Sequence, residues 1–478
     1  MLHIIYRRFL VVGCAVSCLF MAGCMSGHKA ARDYYSPALY EDHQPGPDSD
    51  TTRQPVTAKN EAQKTAAILE KAQWSLQDCV DLAVANEERL KIQGEAYYQT
   101  KWLYYQALAS WLPAISLEAA NTNYDSGAPG TFLDKQEYWL KVRQPIFNSG
   151  RELIGLANSE QLSALRKYEL KQARDVLILA VADSFYQALS LRNESATLES
   201  LLAYTQNYSD MVKARVEAQI TSRKDALLAE AAIYDIKARL ARTNNLLDNA
   251  RLNLQLLVGA PLPAELADNA AMPGLAPISG TAYGLAPSNQ ESVITALANR
   301  TDVKVAEQQI KLAEAEANLA KGGFLPQINL DWTRYLHTET SSLAGLDWTL
   351  LLSASIPLDN GGRYAKVKEA NSKLRQAGLA KDKLLKSLRN DVEKAYRDLQ
   401  AIELDIEARE KGLAAAKETA DIVIEEYRIG TATNVEVLFI NNSFEQARIA
   451  LDKSRIDLKL AYLRLKFALG LLAKEFQQ

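Results

Sequence analysis

Apolar and polar residues alternate along this chain with two different periods, and each period is written twice. From Ala114 the period is two: Ile115, Leu117 and Ala119 fall on one side, Ser116, Glu118 and Ala120 on the other. Beyond the Gly- and Pro-bearing stretch 125–130, a second run sets Tyr138, Leu140 and Val142 against Glu137, Lys141 and Arg143. Farther on, Ile328, Leu330 and Trp332 oppose Asn329, Asp331 and Thr333, and Trp348, Leu350, Leu352, Ala354 and Ile356 oppose Thr349, Ser353 and Ser355. Strands follow over about 114–123, 136–146, 327–337 and 346–357.

Between these runs, apolar residues recur in alternating steps of three and four. Leu385, Leu388, Val392, Ala395, Leu399, Ile402 and Ile406 form one such seam; Phe444, Ala447, Leu451, Ser454, Leu458, Ala461, Leu465, Ala468 and Leu472 form another; Leu177, Val181, Ser184, Ala188 and Leu191 a third. A seam of this spacing is buried only against a partner helix. A continuous helix from Arg363 to Arg428 would be roughly 100 Å long. Each helical segment is interrupted once. In the later one, over Tyr427 to Asn434, Gly430 suits a left-handed backbone, and Thr433 or Asn434 suits a helix cap. The earlier interruption falls near Gln219 to Asp225. Two helical hairpins result, about 149–258 and 361–472. Upstream, Ser75 is placed to cap a helix that runs to Ala109 and ends before Pro113.

The whole arrangement is a duplication. Pro145-Ile146-Phe147-Asn148-Ser149-Gly150-Arg151 returns as Pro357-Leu358-Asp359-Asn360-Gly361-Gly362-Arg363, at a shift of 212. Trp111-Leu112-Pro113-Ala114-Ile115 returns as Phe324-Leu325-Pro326-Gln327-Ile328, and Ala83-Val84-Ala85-Asn86 as Ala296-Leu297-Ala298-Asn299, both at 213. The period is far too long for a solenoid and fits a tandem pair. The first repeat covers 74–260, an Ala/Gly/Pro-rich linker 261–287, and the second repeat 288–478.

The N-terminus reads as a secretory signal over 1–23: Arg7 and Arg8, an apolar core from Phe9 to Ala22, then small residues before Cys24. Leu19 to Cys24 resembles a bacterial lipoprotein signal, with Met21 where Leu is usual. In that reading Cys24 carries the lipid, and Met25, which is not Asp, favours sorting to the outer membrane. Residues 24–73, polar and proline-bearing, form a lipid-anchored tether. Cys79 is then the one cysteine left in the mature chain outside the anchor, so no intrachain disulfide forms.

From alternation alone, the four strands suit a soluble sheet with one solvated face. The lipid signal and the aromatic positions turn the reading toward a membrane, and each strand has the length that crosses a bilayer at a tilt. Four strands cannot close a membrane barrel, so several chains must contribute. The net charge of −3 holds no basic excess that would point to nucleic acid. His3, His28, His43 and His337 are scattered, and Gly361-Gly362 lacks the Lys-Ser/Thr of a phosphate-cradling loop. The reading is therefore not an enzyme, with no metal and no cofactor.

The ordered set of features over roughly 74–473 resembles the TolC family of outer-membrane export ducts, most specifically in the doubled Pro-to-Arg motif and in Tyr427-Arg428-Ile429-Gly430-Thr431 followed by Glu436-Val437-Leu438. The resemblance implies a mainly α fold with a membrane β part: a homotrimer whose β-barrel is continued by an α-helical periplasmic tunnel. It implies passive conduction, with a periplasmic adaptor and an inner-membrane pump of RND or ABC type as partners. Small-molecule efflux is the first expectation for cargo, type I protein secretion the second; a lipid-anchored coiled-coil scaffold without a pore is the rival class. Few methionines and no His/Met cluster speak against copper or silver. The barrel would be lined by Glu118, Lys141, Arg143, Asn329, Asp331, Thr349, Ser353 and Ser355.

In that family a tyrosine and an arginine of the second hairpin bond an aspartate of the first, and acidic rings narrow the entrance. By motif position Tyr427 matches the tyrosine and Asp225 the aspartate, while Ala432 stands where the arginine would be. Glu436 keeps one ring acid and Phe439 replaces another, which implies a partly apolar entrance. The alternative is that Glu436 is a solvated helix residue and Phe439 plain coiled-coil packing.

Overall fold

The computed structural model describes residues 65–125, 132–267, 289–338, 347–358 and 361–476. The signal and Cys24, most of the tether and of the 261–287 linker, and Asp359-Asn360 lie outside the described residues. Along the chain the elements are β1 (Gln73–Trp74), α1 (Leu76–Asn86), α2 (Glu88–Ala109), β2 (Ala114–Asp125), β3 (Phe132–Asn148), α3 (Arg151–Glu217), α4 (Arg223–Val258), β4 (Glu265–Leu266), α5 (Asn289–Asn299), α6 (Thr301–Gly322), β5 (Gln327–His337), β6 (Trp348–Ser355), α7 (Gly362–Ile429), α8 (Asn434–Ala468) and α9 (Leu472–Glu475). They fall into two units. One holds the described residues up to 92 with 171–300 and from 386 onward; the other holds 93–170 and 301–385.

In the first unit the three-and-four seams are where burial occurs. Leu388, Val392 and Leu399 of α7 and Leu451, Ser454, Ala461 and Leu465 of α8 are buried, each large aliphatic among them contributing about 1.5–3 kcal/mol. The two helices are cross-tied where Ser454 Oγ donates to Asp405 Oδ2 at 2.7 Å and Arg455 meets Glu410 at 3.0 Å. On the other hairpin, Ser195 Oγ donates to Asn244 Oδ1 at 2.6 Å across α3 and α4. A short parallel pairing of β1 with β4 sets Gln73 opposite Glu265 and Trp74 opposite Leu266.

The helix expected from Ser75 to Ala109 is two helices. Ser75 caps α1 through a reciprocal box with Asp78, but Glu87 leaves helical geometry, with ψ 121°, before α2 begins. A tertiary contact marks the break: Asn86 Nδ2 donates to the Val258 carbonyl at 3.1 Å. Gly259, with φ +68°, closes α4 against that asparagine, and a Cβ on it would stand 2.8 Å from Asn86 Cβ. The second repeat does the same: α5 ends at Asn299, α6 starts at Thr301, and Gly470 (φ +71°) abuts the backbone of Asn299 and Arg300.

The second unit contains a four-stranded antiparallel sheet in the order β2-β3-β5-β6. The two hairpins have one register: Ala114 faces Arg143 as Gln327 faces Ser355, and Leu117 faces Leu140 as Leu330 faces Leu352. The ladder between β3 and β5 shifts between Pro145 and Phe147, at a proline that has no N–H to give it.

Candidate functional site

Through the middle of the sheet the pairing keeps like faces together, so each alternation seen in sequence lies on one face there. On one face Ile115 pairs with Val142, Leu117 with Leu140, Val142 with Trp332, Trp332 with Leu350 and Leu330 with Leu352. It is left open among the described residues: Ile115 is 64% exposed, Leu117 71% and Leu352 64%. An uncovered apolar sheet face of this size marks a surface made for lipid or for a partner.

The opposite face brings together all the wall residues named from sequence. Ser116 stands opposite Lys141, Lys141 opposite Thr333, Arg143 opposite Asp331, Asn329 opposite Ser353, Thr333 opposite Thr349 and Gln327 opposite Ser355. Arg143 Nε donates to Asp331 Oδ1 at 2.7 Å, an ion pair between the two repeats. Glu118 accepts from Ser116 Oγ at 3.0 Å and from Trp139 Nε1 at 2.8 Å. Sequence reasoning missed Trp139, its cross-strand neighbour Tyr335, and Leu351 opposite Asp331. Period two alone puts Trp139 beside Lys141, so that signal was available.

The hairpin turns place the entrance candidates named from sequence within the first unit. Gly430, with φ +89°, ends α7, and Thr433 rather than Asn434 caps α8. Glu436 closes that cap: its Oε2 accepts from the Thr433 N–H at 2.7 Å and from Thr433 Oγ1 at 2.9 Å. These bonds, the backbone one first, hold its carboxyl below the usual range. Asp225 does the same for α4, accepting from Ser222 Oγ and Thr221 Oγ1, both at 2.7 Å. Its carboxyl is likewise lowered, first by Ser222 and then by Thr221. Asp225 is therefore held by its own turn, and among the described residues the buried Tyr427 hydroxyl has no hydrogen-bond partner.

What ties the two tips together within one chain is a set that the motifs do not name. Tyr208 hydroxyl donates to Asn434 Oδ1 at 2.7 Å, and Asn434 Nδ2 donates to the Asp225 carbonyl at 2.9 Å. Burial pushes the Tyr208 phenol well up, so it is a donor at any physiological pH. The Tyr208 and Tyr427 rings lie 5.5 Å apart, and the Arg215 guanidinium sits 4.8 Å above the Tyr427 ring. Val212 and Val437 complete this cluster. Phe439 lies elsewhere: it is 67% exposed and lines a cleft of about 240 Å³ with Leu201, Leu228, Ile236 and Asn442.

Coiled-coil hairpins together with an amphipathic sheet whose apolar face is bare define a membrane-embedded tunnel protein. The chain belongs to the outer membrane efflux protein family, whose model matches residues 79–260 and 293–471. It is 26% identical over 339 residues to the outer membrane efflux protein BepC of Brucella suis biovar 1, covering 69% of this chain and 71% of that one. To the probable outer membrane lipoprotein SilC of Salmonella typhimurium it is 25% identical over 357 residues, covering 71% and 73%. The crystal structure of CusC, described as showing transmembrane channel formation, superposes with a TM-score of 0.72 at 18% identity over 90% of this chain and 99% of that one. The chain is thus an outer-membrane channel subunit of an export system that works with an adaptor and an inner-membrane pump.

Proposed function

We propose that three copies of this chain close one barrel of about twelve strands, anchored by lipid at Cys24, and conduct small molecules passively from an inner-membrane pump of RND or ABC type and its adaptor to the exterior. The reading divides the chain into signal, tether, two repeats and linker as set out from the sequence. The observation that carries it is the sheet: four strands, one face apolar and bare, the other wet, too few to close alone. Glu118, Lys141, Arg143, Asn329, Asp331, Thr349 and Ser353 line the lumen. The chain performs no catalysis and uses no cofactor; the pump supplies the energy.

The entrance is formed by the hairpin tips, with Asp225 and Tyr427 bracing them and Glu436 and Phe439 narrowing the opening. Two facts support this: the capping box fixes Glu436 as an exposed anion at the start of α8, and Phe439 stands exposed one turn farther on. Native mass of the detergent-solubilised protein tests the trimer, and single-channel currents of Glu436→Gln test the ring. Loss of part of the cation preference is expected, because three carboxylates would leave one narrow opening; unchanged selectivity removes Glu436 from it.

A further inference from the structure

Duplication gives the polar face of the sheet an internal comparison. A shift of 213 carries Glu118 onto Asp331, and a shift of 212 carries Trp139 onto Leu351. Both pairs stand cross-strand in the same register: Glu118 faces Trp139, and Asp331 faces Leu351. The acid is kept but its surroundings are not. Asp331 is matched by the Arg143 guanidinium, whose Nε lies 2.7 Å from Oδ1. Glu118 accepts instead from a hydroxyl and an indole, Ser116 Oγ at 3.0 Å and Trp139 Nε1 at 2.8 Å. Those donors are neutral, so they fix the carboxylate without cancelling its charge.

Aromatic surface lies beside that charge. Trp139 faces Tyr335 across the β3–β5 ladder, and the Tyr335 N–H donates to the Asp347 carbonyl at 3.2 Å, which ties this end of β5 to the start of β6. Acid, indole and phenol thus form one row across β2, β3 and β5, about 10 Å from end to end. Lys141 occupies the next row toward α3, between Ser116 and Thr333, and leaves the Glu118 row itself without a cation. On the other side of the row the ladder slips: Tyr138 pairs with His337 and Trp139 with Tyr335, so Leu336 is skipped. Irregularities of this kind re-aim side chains and gather next to binding sites. The second repeat has no such row, since Leu351 replaces the indole and the counterpart of Tyr335 is Thr122.

We propose that Glu118, Trp139 and Tyr335 form a binding site for planar aromatic cations, one in each chain. A cation is drawn to the faces of indole and phenol rings, the Glu118 carboxylate supplies the opposite charge, and the row has the length of two or three fused rings. The inference rests on the duct reading above and deepens it, naming the cargo class that the wall retains on its way out.

Equilibrium binding of ethidium to the detergent-solubilised full-length protein, read by fluorescence anisotropy, tests this, with fluorescein as the planar anion. The wild-type protein is expected to bind ethidium at one site per chain and in preference to fluorescein, with affinity falling as salt rises. Trp139→Leu gives the first repeat the residue that the second already carries in the same register, so the sheet accommodates it. It should weaken ethidium binding about threefold to thirtyfold, and Glu118→Gln about fivefold. Ethidium binding unchanged in both variants, or fluorescein bound as tightly as ethidium, overturns the site; if the native mass is then a trimer, the duct still stands. A single-chain native mass with ethidium binding that both variants weaken keeps the site and removes the duct.

Discussion

Asn434 joins the two hairpin tips of one chain, accepting from Tyr208 and donating to the Asp225 carbonyl. It is buried, so Asn434→Ala leaves a buried hydroxyl and a carbonyl unsatisfied. The expected cost is about 1–3 kcal/mol, read as a lower melting temperature of the solubilised protein; an unchanged melt would show that water replaces both bonds. Glu436 carries a pH dependence of its own. Its folded pKa is depressed by the Thr433 bonds, so its support of the cap is complete above the ordinary carboxylate range and fades as pH falls through the lowered value. Hydrogen exchange at the start of α8 should quicken on acidification, and in Glu436→Gln this step should vanish. The motif made Tyr427, Asp225 and Glu436 legible at this scale. Tyr208 and Arg215 were not, because two helix turns on α3 mark a face without saying what that face meets.

Among the elements, the strands were the most legible. Alternation between Ile115 and Ala120 or between Trp348 and Ile356 needs no tertiary information, and the wall residues it grouped do share one face. The α1–α2 break was illegible for the opposite reason. Asn86 is a weak helix former but does not by itself end a helix; at the break its side chain bonds the Val258 carbonyl, 172 residues away. Its duplication gives a prediction. A Cβ on Gly470 would stand 2.6 Å from Arg300 N, and φ there is +71°. Gly470→Ala should destabilise by more than about 1 kcal/mol, read as a lower denaturation midpoint. An unchanged midpoint would mean that the α5–α6 junction gives way without cost.

For the whole molecule, the duplication is what the sequence disclosed best and the exposed apolar sheet face what the structure adds. Doubled motifs imply equivalent hairpins, and the common register of β2–β3 and β5–β6 bears this out. What no sequence pattern could settle was whether helices would cover the apolar face, since a soluble sheet has the same alternation. Among the described residues Leu117 and Leu352 of that face stay exposed. In the proposed duct the wall and the entrance are made by different residues, so an entrance side chain should govern current without altering the wall. The measurement that tests this most directly is planar-bilayer conductance of the purified protein beside its Phe439→Ala variant. A stable pore in both, with larger conductance in the variant, is the predicted result; folded trimers of both that pass no current would contradict the account.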